Sequence, residues 1–488
     1  MGDILRCMKQ TEQLTQTILD LYEDVKIFTY IALDYRRKLV ESSAMHHKVT
    51  QKTILDNTSN FVEQQLRHIQ EMINEFHKAI RNSEQATLPK IFEQKQHIIE
   101  SLRQVAGLVG YAVTMSHWQS PAINSSSVDN VGSLKGKILA HYNDYTRDMH
   151  ILGVEFEKAY RDQYIPIPHS IPVFTFATSS GMAAMTTAAL FVQGETQNEG
   201  NILMGTSCYF ETKQLLKKLF GSRIHEIDLS DLEFCKTAFN KYEPVAVFAD
   251  TIGNEPNMRT VDISNLITLA SIKPEKSVFI VCDPTANTLS ATYIQGFRLP
   301  KNVVLIGVES QNKLLQFGLD RVCAGVVWGT GYISQKLYDY RDHAGTICSD
   351  STIATLPTPN RAMAKLYTKR LVRNTQILIS ALKNNSKIQT KKIHILYPKK
   401  SAAQGVYFIL HWKQSILHSY TRYIHHVLSA AKKSDIALVH GTSFGLTTTR
   451  IYNVAMHTQY TRPFLRISAG NETASQIQTL GELLSKYL

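Results

Sequence analysis

Val303-Val304-Leu305-Ile306-Gly307-Val308-Glu309-Ser310-Gln311-Asn312-Lys313 reads as an apolar strand that stops at a polar turn and sets a lysine just beyond it. Upstream, Val278-Phe279-Ile280-Val281-Cys282-Asp283 has the same shape, with a carboxylate where the apolar run ends. Short continuous apolar runs bounded by turn signals suit strands that are buried on both faces. Similar runs occupy Val173–Thr178, Ile202–Met204, Val245–Asp250 and Val322–Trp328. Helix-length segments such as Thr212–Phe220 and Asp262–Ser271 lie between the earlier ones. This alternation predicts an α/β fold with a mostly parallel sheet covered by helices on both faces. In such sheets ligands bind outside the carboxyl ends of the strands, where Asp283 and Lys313 fall.

The pattern changes on either side of this body. Leu14, Ile18, Leu21, Val25 and Phe28 are spaced 4, 3, 4, 3, and Val62, Leu66, Ile69, Ile73, Phe76 and Ile80 are spaced 4, 3, 4, 3, 4. Each set is one narrow apolar stripe at helical period. A third helix is predicted from Ile91 to about Val113, after Pro89. After Ser120-Pro121 the strand runs begin. Beyond residue 360 a long helix, Arg361–Lys383, precedes separate strands at Val406–Trp412 and Phe464–Ser468. The expected organisation is therefore a helical extension over 1–115, a large α/β domain over 116–360 and a smaller α+β domain over 361–488. The extension reads equally well as an oligomerisation or partner-binding arm and as a bundle packed on its own body.

Composition narrows the classes. Of the 488 residues, 43% are hydrophobic and 19% charged, which excludes wholesale disorder. The apolar stretch Val105–Met115 is too short for a membrane span. The opening residues Met1–Arg6 include Asp3 and do not resemble a secretory signal. Arg6 stands where myristoylation of Gly2 would need Ser or Thr. The six cysteines form no CxxC pair, which argues against zinc ribbons and disulfide scaffolds and for a reducing, cytoplasmic setting. The net charge is +12 but uneven: residues 381–440 hold ten Lys/Arg and one acidic residue. Interspersed with strand-like residues, these basic groups read as a solvated face, and nucleic-acid binding ranks last among the functions considered.

Four features matter, and the first three fall where strands stop. Ser179-Ser180-Gly181-Met182-Ala183-Ala184 follows a strand and opens a helix, where backbone N–H groups can cradle phosphate. Asp283 needs a cationic partner if buried. Lys313, beside a buried strand end, is a candidate amine nucleophile. Arg466, in Leu465-Arg466-Ile467-Ser468-Ala469-Gly470, is placed to fork onto a carboxylate. Taken in order, these are the parts a pyridoxal-phosphate enzyme needs: a phosphate cradle, an anion for the ring nitrogen, an amine and a clamp for the substrate carboxylate.

In detail the chain resembles the Cys/Met-metabolism family of pyridoxal-phosphate enzymes. Ser180-Gly181-Met182-Ala183-Ala184 is similar to that family's phosphate turn. Tyr209, with Thr212, matches its ring-stacking tyrosine, and Asp250-Thr251-Ile252-Gly253-Asn254-Glu255 resembles its acidic-Ser/Thr-Pro-x-Asn-Pro stretch. Asp283 with Thr285 resembles its Asp-Asn-Thr motif, and Ser310-Gln311-Asn312-Lys313 its Schiff-base lysine block. Arg466-Ile467-Ser468-Ala469-Gly470, with Glu472 and the upstream Ser443, resembles its carboxylate-binding block. Tyr145-Thr146-Arg147 looks like its Tyr-Ser-Arg, and Ser120-Pro121-Ala122-Ile123 like its Pro-Pro-Ile. The chain departs from the family pattern at Glu211, where Gly or Cys is usual, at Asn312, where Ser or Thr is usual, and at Ile252 and Glu255, which replace prolines.

The resemblance implies an aspartate-aminotransferase-like fold (fold type I) with a mostly parallel seven-stranded sheet, and pyridoxal 5'-phosphate as cofactor. It implies that Lys313 anchors the cofactor and moves protons, that Tyr209 stacks on the ring and protonates a leaving group, and that Asn254 bonds the ring oxygen. Asp283, with Thr285, would keep the ring nitrogen protonated. Gly181, Met182 and Ser310 would hold the phosphate, joined by Tyr145 and Arg147 of a second subunit, hence a homodimer or homotetramer. Arg466 and Ser443 would bind a small amino-acid substrate. The activity implied is C–S bond formation or cleavage by γ-replacement or γ-elimination. The alternatives are β-elimination and a degenerate scaffold that uses the helical arm to bind a partner.

Overall fold

The computed structural model describes residues 2–45, 52–83, 85–115, 151–168, 170–287, 299–390, 393–398, 405–412, 417–454 and 463–488. The first three helices are α1 (Gly2–Met45), α2 (Lys52–Arg81) and α3 (Leu88–Val113). They pack on one another through the stripes seen in the sequence: Val62, Leu66, Ile69, Ile73, Phe76 and Ile80 are all buried, as are Leu21 and Phe28. α3 starts at Leu88, earlier than the predicted Ile91, because Pro89 sits in its first turn, where no N–H is needed.

The bundle packs on its own body, as the second reading of this segment expects. One apolar cluster runs continuously from Leu21 and Val109 to Ile280 and Val326. A buried ionic cluster pins α1 to the long helix over Arg361–Lys383. There Arg370 bonds Asp24 and Glu23, Arg373 bonds Asp20, and Lys95 of α3 lies 2.9 Å from Asp24. Asp20 Oδ2 also accepts from Ala474 N at 2.7 Å, and Thr17 Oγ1 from Ser475 N at 3.1 Å. Both N–H groups open the C-terminal helix over Ala474–Lys486, whose N-terminus attracts negative charge.

A helix over Ile151–Tyr164 leads into the body, where seven strands are described. They are β1 (Val173–Thr178), β2 (Ile202–Gly205), β3 (Ile224–Ile227), β4 (Ala246–Asp250), β5 (Val278–Asp283), β6 (Val303–Ser310) and β7 (Gly325–Thr330). They form one sheet in the order β1-β7-β6-β5-β4-β2-β3, with β7 antiparallel to both its neighbours and the other pairings parallel. The sheet is thus mostly parallel, as expected. β7 begins at Gly325 rather than Val322, and β6 runs on to Ser310. The apolar-run criterion passed over β3, because its two central residues at the sheet's edge, His225 and Glu226, are polar.

The C-terminal part carries β8 (Ile393–Leu396), β9 (Tyr407–Trp412), β10 (Val439–His440), β11 (Arg450–Val454) and β12 (Phe464–Ser468), in the order β10-β11-β12-β9-β8. Its core includes Phe408, Leu465, Ile467 and Leu480. Among the described residues no helix is long and apolar enough to cross a membrane.

Removing one partner of a buried ion pair strands the others. Arg370→Ala should therefore cost about 3–5 kcal/mol of stability, read as a fall in the denaturation midpoint. Arg67→Ala, on the exposed face of α2, should change it little.

Candidate active site

The carboxyl ends of β4, β5 and β6 lie side by side and face the loops before β11 and the end of β12. Between them is a cavity of about 480 Å³. Every site residue expected from the sequence lines it, except Tyr145 and Arg147, which lie outside the described residues together with Ser120–Ile123.

One wall is the turn after β1. Ser180 caps the helix over Gly181–Glu195, its Oγ accepting Ala183 N at 3.0 Å. A Cβ on Gly181 would fall 2.7 Å from Ser310 Cβ, so only glycine lets this helix start come so close to the end of β6. The leading N–H groups of that helix, at Gly181 and Met182, point the positive end of its dipole towards the cavity.

The floor holds two carboxyls. Parallel pairing puts Asp250 and Asp283 opposite each other at the last position of β4 and β5. Asp283 Oδ1 accepts Thr285 N at 2.8 Å, and Thr285 Oγ1 in turn accepts Ser310 N at 3.0 Å. Thr285 therefore ties the end of β5 to the end of β6. Asp250 Oδ2 accepts Tyr209 N at 2.9 Å, while its Oδ1 has no partner among the described residues. Burial pushes both carboxyls above the usual range, and the neighbouring Asp283 pushes Asp250 further. Asp250 was quoted in the sequence motif without a role. The signal was there: like Asp283, it ends an apolar strand.

Lys313 Nζ donates to Ser443 Oγ at 2.8 Å and lies 5.5 Å from the centre of the Phe444 ring. Burial, and then the charge of Arg466, hold its ammonium below the ordinary lysine range. Arg466 projects from β12 and is itself buried. Its Nη1 donates to Asn254 Oδ1 at 3.0 Å, and its guanidinium stacks 5.6 Å from the Tyr407 ring. Among the described residues it makes no ion pair with a carboxylate, and its Nε has no partner. Asn254 bonds this arginine, a contact that the sequence did not disclose.

Tyr209 precedes the helix over Phe210–Phe220 and is 40% exposed, on the cavity wall. Burial and then the adjacent Glu211 carboxylate push its phenol up. Asn312 turns away from a phosphate role. Its Oδ1 accepts Ala324 N at 2.9 Å and its Nδ2 lies 3.2 Å from Cys323 Sγ, so it fastens the lysine loop to the start of β7.

Residues 140–407 match the model of the Cys/Met metabolism PLP-dependent enzyme family. The chain belongs to this family. Among curated proteins, it is 24% identical over 301 residues to the bifunctional enzyme flvA of Aspergillus flavus. That match takes in 60% of the chain and only 36% of the longer protein, so the chain spans about a third of that relative. Among solved structures, the apo methionine gamma lyase CalE6 of Micromonospora echinospora superposes with a TM-score of 0.54. The two are 18% identical over 70% of this chain and 88% of that one. The cystathionine gamma synthase of Xanthomonas oryzae pv. oryzae gives a TM-score of 0.53 at 16% identity, over 71% of this chain and 88% of that one. These likenesses bear out the fold-type-I architecture.

The cavity of this family member fits pyridoxal phosphate. A glycine-enforced cradle and a helix N-terminus suit the phosphate, a buried carboxyl with no ion pair among the described residues suits a protonated ring nitrogen, and a dehydrated amine suits the aldehyde. The raised carboxyls make a testable demand on the cofactor-free protein. A carboxyl that holds its proton more tightly when folded loses stability as pH rises from its unfolded value. Asp250→Asn, which cannot ionise, should therefore gain in melting temperature over the wild type between pH 5 and pH 8. A constant difference across that range would contradict the assigned environment.

Proposed function

We propose that this protein is a pyridoxal-phosphate enzyme that acts on an amino acid with a leaving group at Cγ, by γ-replacement or γ-elimination. The observation that carries the reading is that Lys313, Asp283 and a carboxylate-free, buried Arg466 face one cavity. The names of the solved relatives, a methionine gamma lyase and a cystathionine gamma synthase, support it. The retained set favours catalysis over the scaffold reading.

When bound, pyridoxal phosphate supplies an electron sink for a carbanion at the substrate Cα. Gly181, Met182 and Ser310 would hold its phosphate, with Tyr145 and Arg147 supplied by a second copy of the chain in a homodimer or larger homo-oligomer. Asp283, fixed by Thr285, would hold the proton on the ring nitrogen. Arg466 grips the α-carboxylate by two N–H groups, and Asn254 keeps the guanidinium plane turned to the cavity. Ser443 orients the Lys313 amine. That amine, whose ammonium form burial disfavours, moves protons first at the substrate Cα and then at Cβ, and loss of the Cβ proton lets the bond to the group on Cγ break. Tyr209 donates its hydroxyl proton to the group that departs from Cγ; burial, and then the Glu211 carboxylate, make that proton harder to lose to solvent. The uneven charge and the cysteine pattern suit a cytoplasmic enzyme.

Borohydride treatment should leave pyridoxyl on Lys313. Lys313→Ala should lose this label and at least ~10²–10⁴-fold of turnover; retained turnover would refute the assignment. In a screen of O-acyl and thioether amino acids, Glu211→Gln should move the alkaline limb of kcat to lower pH. The sign follows because the carboxylate raises the phenol's pKa, and its removal lets Tyr209 ionise sooner.

A further inference from the structure

α3 lies ahead of the residues that match the family model, yet its side chains reach the loops that carry the site. Lys313 is followed by a tight turn in which Phe317, Gly318 and Asp320 have φ values of 52°, 82° and 44°. All three lie in the left-handed region that ordinary residues avoid. A second loop, Ser443–Thr449, carries Ser443 at φ 78° and Gly445 at φ 78°. The two loops interlock: a Cβ on Gly445 would fall 2.4 Å from the Lys313 carbonyl oxygen, and one on Gly318 would fall 2.5 Å from Thr447 Cγ2. Strained turns persist only where their surroundings over-determine them.

The over-determination comes from α3. Arg103 Nε donates to the Leu319 carbonyl at 3.1 Å, and its Nη2 donates to the Gly318 carbonyl at 2.9 Å and to Thr447 Oγ1 at 3.1 Å. One planar guanidinium thus bridges the lysine loop and the serine loop, a use of its fixed fork that a lysine cannot copy. Earlier on the same helix, Lys95 Nζ donates to the Asn471 carbonyl at 2.9 Å, and Asn471 N donates to the Thr447 carbonyl at 3.1 Å. Asn471 belongs to the turn that leaves β12 after Arg466. α1 adds Tyr30, whose ring meets Phe317 edge-on at 6.0 Å.

We propose that α3 is a brace built into the active site, with Arg103 as the positioning residue that sets the Lys313 loop against the Ser443 loop. The N-terminal helices then act on the chemistry within their own chain, through the Lys313–Ser443 hydrogen bond. The proposal rests on the reading of Lys313 and Ser443 as site residues, and its test separates the two.

Amide hydrogen exchange on the cofactor-free chain reads the brace directly, and titration with pyridoxal phosphate reads its effect. In Arg103→Ala, exchange in residues 314–321 and 443–449 should quicken about tenfold, with pyridoxal phosphate binding weakened by a similar factor. The strands β4 to β6 should keep their protection. Arg103→Lys should recover only part of this, and Thr447→Val should loosen 443–449 more than 314–321. Arg67→Ala, exposed on α2, is the control. Should Arg103→Ala fail to fold, Arg103→Lys and Thr447→Val decide by the same two readouts. Unchanged exchange in both loops, or a loss of protection spread evenly over the chain, would overturn the brace. A wild type that binds no pyridoxal phosphate would refute the proposed function, while the exchange data still decide the brace.

Discussion

Parallel register is the constraint on which the site depends. Because β4, β5 and β6 run the same way, their carboxyl ends share one edge, and Asp250, Asp283 and Ser310 arrive there together. The register is enforced from inside the sheet. Phe279 and Val281 pack into one apolar cluster and Ile280 and Cys282 into the other, on opposite faces. A slip of one residue would exchange the two sets and turn Asp283 away from the cavity. The position of a polar group at the edge is thus set by the packing of apolar groups behind it.

The cavity keeps two carboxyls and two cationic groups near each other without closing them into ion pairs among the described residues. Burial moves Asp250 and Asp283 up and Lys313 down, so each is driven towards its neutral form. Such groups weaken the empty fold and become useful when a charged ligand arrives. The compensation lies elsewhere, in the apolar core on both sheet faces and in the paired cluster around Arg370. The contrast between the two charged clusters is instructive: around Arg370 every charge meets its opposite, whereas Arg466 is left open towards the cavity.

Much of this was legible in the sequence. Val173–Thr178, Val278–Asp283 and Phe464–Ser468 form the strands their apolar runs indicate; Asp283 ends its run, Lys313 stands just beyond β6, and Arg466 lies within β12. What was hidden depends on distant partners. β3 and β8 are edge strands interrupted by His225 and Glu226 and by His394, so no apolar run marks them. The burden on Asp250 arises from a neighbour on another strand. Arg103 bonds backbone carbonyls, which leave no trace in residue type. The stripes of α1 and α2 announced helices but not what they cover, because burial against a bundle and burial against a body demand the same residues.

The contact between Asp20 and Ala474 joins segments separated by 454 positions. Within this chain α1 leaves the ribosome long before the helix it caps, and until that helix is made the carboxylate of Asp20 lacks one of its partners. Contacts of such sequence separation form slowly, because a long loop must close before they yield anything. The brace on the site has the same character: Arg103 and Thr447 are 344 positions apart, so the two site loops are fastened together only after a long stretch of chain has closed.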